Sequence, residues 1–165
     1  MRSWFNRSRP FVYDSTSLYD QNTFYTALER DLWRCQSELV IESPFITMRR
    51  MNALLPIFAK LRRRNVNIII NTRNPTEHEG DYRTQAQDAV YALQELGINV
   101  LYTVKHHRKL VIIDRHVIYE GSLNILSYTD SCEIMRKIVS DIVANDLYKY
   151  LGLHRNNKET PYGRH

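Results

Sequence analysis

The chain has 165 residues, 43% hydrophobic and 25% charged, which is enough apolar material for one packed domain and excludes a disordered or fibrous protein. Lys and Arg outnumber Asp and Glu by 23 to 18, and the resulting net charge of +5 favours an anionic partner. Two cysteines, Cys35 and Cys132, are too few for a disulfide scaffold and suit the cytoplasm; no apolar run reaches the roughly 18 residues of a membrane span, and the MRSWFNRSRPF start lacks the apolar stretch of a secretory signal.

Residues 1–19 read as an irregular N-terminal arm, with a short strand at Phe11-Val12-Tyr13. Asp20 is the expected N-cap of a first helix whose apolar positions are Phe24, Leu28, Leu32 and Cys35. Leu39-Val40-Ile41 predicts a short buried strand ending at Ser43-Pro44. Thr47 is the expected cap of a second helix with the stripe Met51, Leu54, Leu55, Phe58 and Leu61, which Pro56 should kink or delay. Val66 to Ile70 is a continuous apolar run, the pattern of a strand covered on both faces.

A polar loop follows from Asn71 to Asp81, and His78, beside Glu77 and Glu79, reads as surface decoration. Ala86, Ala89, Val90 and Leu93 mark a third helix with Gly97 as its stop, and Ile98 to Tyr102 a further strand. His107 to Ile113 and Val117 to Tyr119 predict two strands joined by a tight turn at Asp114-Arg115. After a loop at Gly121–Asn124 come a strand near Ile134 to Val139 and a closing helix presenting Ile142, Leu147, Tyr150 and Leu151. The expected fold is therefore α/β, a mixed β-sheet sandwiched between helices, with the domain over 20–151 and a polar tail over 152–165.

The informative segment is HHRKLVIIDRHVIYEGSLNIL, residues 106–126. It holds the pattern H-x-K-x-x-x-x-D at His107, Lys109 and Asp114, then G-S-x-N at Gly121–Asn124, with Glu133 beyond. This resembles the HKD motif of the phospholipase D superfamily with its companion G-S-x-N and following acidic residue. The resemblance covers about 20–151 and implies a phospholipase D-like fold and a phosphodiesterase that works through a phosphohistidine on His107, with no metal and no cofactor.

Side-chain chemistry gives each residue a role. In a strand His107 and Lys109 share a face, while Arg108 and Leu110 take the other; imidazole can attack phosphorus while the ammonium holds a phosphate oxygen. Asn124 and Ser122, on a glycine-led loop, are further candidates for binding phosphate. Glu133 is the candidate partner for the second nitrogen of His107. Asp114, grouped with the catalytic residues by the motif, has the opposite strand parity and is expected to fix the turn or support a neighbour.

Members of the superfamily use two such motifs across a pseudo-twofold axis. This chain has one: His116 and His154 are not followed by lysine two positions on, and His106 should point away from His107. A homodimer through the HKD face is therefore expected, each subunit giving one His107 to a shared site. The short single-motif chain points to a nuclease acting on DNA or RNA. The alternatives are a lipid phosphodiesterase or phosphatidyltransferase, a low-turnover nucleic-acid-binding module, and a domain of a larger helicase or restriction-type protein. Basic residues at Arg49-Arg50, at Lys60 and Arg62 to Arg64, and around Lys105 to Lys109 offer a nucleic-acid track, with Lys105, Arg108, Arg62 and Arg63 as its candidates. The alternative for Lys60 to Arg64 is a solvated helix end complementing the dipole.

Overall fold

The computed structural model describes residues 15–128 and 130–153. Seven strands form one sheet: β1 (Ser15–Asp20), β2 (Glu38–Glu42), β3 (Asn67–Thr72), β4 (Asn99–Tyr102), β5 (Leu110–Ile113), β6 (Val117–Gly121) and β7 (Ile134–Val139). Four α-helices join them: α1 (Phe24–Leu32), α2 (Met48–Arg63), α3 (Asp81–Glu95) and α4 (Asp141–Tyr150). The spatial order is β1-β7-β6-β5-β2-β3-β4. Strands β2, β3 and β4 are parallel, as helical crossovers require, and the other pairings, the β5–β6 hairpin among them, are antiparallel. The expected mixed α/β sheet between helices is what forms.

Strand alternation sorts the core into two layers. Leu39 and Ile41 of β2, Ile68 and Ile70 of β3, and Val111 and Ile113 of β5 pack with α1, α2 and α3. The intervening Val40, Ile69 and Ile112 join Ile118 and Ile138 against Ala144 and Tyr148 of α4. Each fully buried aliphatic contributes on the order of 1.5–3 kcal/mol, so the three-helix face carries most of the stability. The 10 residues of α4 span only about 15 Å, too short to roof the whole second face. Leu18 and Ile134 are consequently 61% and 60% exposed on that face.

The end signals behave as chemistry dictates. Thr47 caps α2, its hydroxyl accepting the Arg50 N–H at 3.4 Å. Gly97 takes φ 68° after α3, with its N–H on Gln94 and the Ile98 N–H on Leu93. Asp114 and Arg115 both adopt φ 52°, and the His116 N–H closes the turn on Ile113. α2 begins at Met48 and continues through Pro56, so the proline does not delay its start.

Several expectations are corrected. From Ser15 the arm is an edge strand paired antiparallel with β7, while Phe11-Val12-Tyr13 lie outside the described residues. Asp20 ends β1 rather than capping α1; its carboxylate binds Asn22 N–H, Thr23 N–H and the Thr23 hydroxyl, forming the turn before the helix. α4 buries Ala144 and Tyr148, whereas Ile142 and Tyr150 face solvent. His78 is only 7% exposed and stacks near Phe45 at 5.4 Å between ring centres, because the short 3₁₀ turn at Pro75–Glu77 folds it inward.

Candidate active site

The parallel strands β2, β3 and β4 all point their C-terminal ends at one edge of the sheet, the place where open α/β sheets leave loops free to hold ligands. The residues before β5 run along this edge. Strand β5 begins only at Leu110, so the strand expected from His107 is a loop over its first three residues. Its side chains and backbone explain why: Lys105 turns the chain at φ 53°, and His106 is drawn into the protein instead of alternating along a ladder. His106 is buried and His107 exposed, so the two neighbouring imidazoles do point apart.

Beneath the loop lies a polar cluster built on Glu42, the last residue of β2, which is 1% exposed. Its Oε2 accepts from Arg108 Nε at 2.7 Å and lies 3.3 Å from His106 Nε2; its Oε1 accepts from Asn71 Nδ2 at 3.0 Å. His106 Nδ1 accepts the Arg108 N–H at 3.3 Å, which leaves the ring proton on Nε2 facing Glu42 and the Asn71 carbonyl. Burial pushes the His106 pKa below its usual value, partly opposed by the Glu42 charge. A buried carboxylate thus pins the residues on both sides of His107. Sequence reading missed Glu42, because one acidic residue closing an apolar strand carries no motif.

His107 itself contacts another residue the motif does not name. Arg73, just past the end of β3, places Nη2 2.7 Å from His107 Nε2 and 3.4 Å from Nδ1, and its Nε donates to the His106 carbonyl at 2.9 Å. Lys109 is half-buried and folds its ammonium back onto the His107 carbonyl at 3.0 Å. The Lys109 carbonyl in turn accepts the Gly121 N–H at 3.3 Å, which joins the G-S-x-N loop to the HKD segment.

Gly121 is required by close approach: a Cβ there would stand 2.2 Å from the Ile134 carbonyl oxygen. The Ser122 hydroxyl accepts the Ile134 N–H at 3.2 Å, and its own N–H binds the Ile134 carbonyl at 3.0 Å. That places the loop beside Glu133. Glu133 accepts from the Ser131 hydroxyl at 2.6 Å and, among the described residues, makes no hydrogen bond to His107. The expected Glu133–His107 hydrogen bond is not made among the described residues; Arg73 is the side chain against that ring. Asn124 is buried, its side-chain oxygen has no partner among the described residues, and its carbonyl accepts from Tyr25 Oη at 3.1 Å. Arg50, fully buried rather than part of a surface patch, clamps the Ile125 carbonyl at 3.1 Å, pairs with Glu29 and lies over the Tyr25 and Tyr128 rings. The stretch after G-S-x-N is thereby fixed to α1 and α2.

Asp114 lies at the other end of β5, five residues and about 16 Å from Lys109 along an extended chain. Its carboxylate accepts the N–H groups of Gln36, Ser37 and Glu38 at 2.9, 2.7 and 3.0 Å and the Ser37 hydroxyl at 2.9 Å. It fixes the start of β2 and is not among the groups near His107, as its strand parity foretold. Burial would raise its pKa, but the N–H donors of Glu38, Ser37 and Gln36 outweigh that and hold it below the usual carboxylate value. Nearby, burial first and the Asp114 charge second push the Cys35 thiol up to about 12.

The proposed track divides in the same way. Lys105 and Arg108 flank His107, and Arg108 is already paired with Glu42. Arg62 is bonded to the carbonyls of Leu96 and Val66, and Arg63 shares that end of α2, so both sit at the opposite end of the sheet from His107. That position suits the helix-end reading of the cluster. An open groove of about 420 Å³ does adjoin the site, lined by Leu18, Leu110 and Ile134 with Arg108, Lys109 and Arg136 around them.

Comparison with known proteins agrees with this layout. The family model described as cardiolipin synthase, PLD-like domain, matches residues 28–151. The fold resembles Nuc from Salmonella typhimurium, a phospholipase D family member, at TM-score 0.67 and 16% identity over 91% of this chain and 100% of that one. NucT from Helicobacter pylori gives 0.61 and 15%, covering 82% of this chain and 92% of that one. TrmBL2, an archaeal chromatin protein described as having a novel mode of DNA binding, gives 0.61 and 14% over 88% of this chain and 54% of that one. A comparison with curated protein sequences finds no match. With three-quarters of its length matched by that family model and its HKD segment laid along the sheet edge, the chain belongs to the phospholipase D superfamily.

Proposed function

We propose that this protein is a metal-independent phosphodiesterase that hydrolyses DNA or RNA, with His107 as nucleophile. The observation that carries the reading is an exposed His107 on a loop pinned from below, with Lys109 two residues on, in a basic domain. The Nε2 lone pair forms the N–P bond while the P–O bond to the leaving group breaks; water then attacks phosphorus and the P–N bond breaks. Lys109 and Asn124, with the Ser122 loop, hold the phosphate oxygens whose charge grows in the transition state. The leaving oxygen takes its proton from a second imidazole, supplied by the His107 of another copy in a homodimer joined through this face. Lys105 extends the basic surface toward flanking phosphates.

The test is incubation with plasmid and single-stranded substrates in EDTA. Wild-type protein is expected to cleave, and H107A to lose about 10³-fold or more of the rate while keeping its circular dichroism. Chelator-sensitive cleavage, or H107A that cleaves normally, refutes the mechanism. Sedimentation checks the dimer, since a fully active monomer removes the shared site.

A lipid reading draws on one specific feature, the exposed Leu18 and Ile134 in the groove that Arg108, Lys109, Glu120 and Arg136 also line. The same residues would then serve phosphatidyl hydrolysis or transfer. Turnover of phosphatidylcholine or phosphatidylglycerol vesicles in place of nucleic acid favours that alternative.

A further inference from the structure

Three arginines have their charge answered by a carboxylate. Glu42 pairs with Arg108, Glu29 with Arg50 and Glu38 with Arg115. Arg73 is half-buried yet pairs with no carboxylate among the described residues. Its position is nevertheless held: Nε donates to the His106 carbonyl at 2.9 Å, and the guanidinium lies over the Phe45 ring at 5.1 Å. Lys109, whose ammonium sits on the His107 carbonyl, has no carboxylate partner among the described residues either. Two cations without counter-charge therefore flank one imidazole.

A guanidinium only donates hydrogen bonds. Arg73 Nη2 stands 2.7 Å from His107 Nε2 and 3.4 Å from Nδ1, distances that set it over the ring face and not along the in-plane lone pair. The guanidinium occupies the space beside the attacking nitrogen, within reach of a phosphoryl group there, and leaves the direction of attack open.

We propose that Arg73 is a catalytic residue that binds the non-bridging oxygens of the phosphoryl group attacked by His107. This rests on the phosphodiesterase reading above. In the free site Nη2 lies against the face of the His107 ring. When a phosphate arrives, the Nη groups turn their N–H bonds to its oxygens, and the Nε2 lone pair forms the N–P bond as the P–O bond to the leaving group breaks. The leaving oxygen is protonated by the second His107, so Arg73 gains and loses no proton. An arginine suits the task because its planar fork matches two phosphate oxygens at once, which a lysine cannot do.

Binding of inorganic phosphate to the intact chain, followed through the ¹⁵N resonances of the His107 ring, tests this directly. Wild type and R63A, altered at the far end of α2, are expected to bind alike. R73A should bind about tenfold more weakly, with R73K between them, and millimolar guanidinium should partly restore R73A. R73A that binds phosphate as wild type does, or phosphate that leaves the wild-type His107 ring unmoved, overturns the proposal. Hydrolysis is the separate readout. His107-dependent cleavage with unchanged kcat in R73A sinks Arg73 and leaves the enzyme reading standing; Arg73-dependent phosphate binding without any cleavage does the reverse.

Discussion

Two buried or half-buried carboxylates sit at opposite ends of the β2–β5 pair and do different work. Asp114 faces the N–H groups of Gln36, Ser37 and Glu38 and the Ser37 hydroxyl. Glu42 faces side chains that carry charge or can gain it, Arg108 and His106, together with Asn71. Asp114 therefore locks the backbone of one strand to the next turn, and its removal is felt wherever β2 must start. Glu42 holds the residues flanking an exposed imidazole, so its removal is felt where the loop must stay still. The superfamily motif contains Asp114 and not Glu42, so motif membership marks what the fold needs as well as what chemistry needs.

The comparison breaks most visibly at Asp114. D114A leaves three backbone N–H groups without their acceptor and should cost about 2–4 kcal/mol, a fall in Tm of roughly 6–15 °C. Hydrolysis per folded molecule should stay within about twofold, because Asp114 lies at the far end of β5. The acid limb supplies a second check. With its folded pKa lowered, the Asp114 carboxylate contributes stability that is fully present above the unfolded value and is lost as pH falls through the folded one. Wild type should therefore lose this increment only below about pH 4, and D114N should lack it at every pH. A D114A protein that is stable but catalytically dead would make Asp114 part of the site.

How far all this could be read from sequence depends on how local each signal is. The strands and helices were legible where period and caps coincide, as at Thr47, Gly97 and the apolar run of β3. Asp20 misled because a turn-forming aspartate and an N-cap aspartate present the same local pattern. The His107 segment read as strand because it runs straight into the apolar Leu110 to Ile113, yet the bonds of His106 and Arg108 to β3 and β2 override it. Those partners lie 35 and 66 residues away, beyond any local window. For the same reason Arg73 and Glu42 stayed hidden while His107 and Lys109 did not: the former reach the site by tertiary contact, the latter by spacing. Arg62 and Arg63 show the converse, a charge cluster whose sequence gives composition but not direction.

A smaller effect sharpens the other side. E42Q keeps the shape of the buried side chain and removes the charge that Arg108 and His106 face. Stability should fall by about 1–2 kcal/mol, since the cationic partner Arg108 is 41% exposed and can find water. His107-dependent hydrolysis should fall about tenfold, mainly in kcat, because a displaced loop misaligns the imidazole proposed as nucleophile. If kcat is untouched while stability falls, Glu42 is a scaffold like Asp114, and the division between the two ends disappears.

The smallest change asks whether the Asp114 cluster acts as a set of separable bonds. S37A deletes one neutral hydroxyl donor at 2.9 Å but keeps the Ser37 N–H on the same carboxylate. One lost hydrogen bond at an exposed residue should cost about 1 kcal/mol or less, with hydrolysis unchanged. With three N–H donors retained, the carboxyl should remain below its ordinary pKa, so acid unfolding should begin only slightly earlier than in wild type. A loss approaching that of D114A, measured by urea unfolding at pH 7 and pH 3, would mean that the hydroxyl orients the carboxylate for every other donor. The cluster would then be one cooperative unit, because losing that orientation weakens all three backbone bonds together.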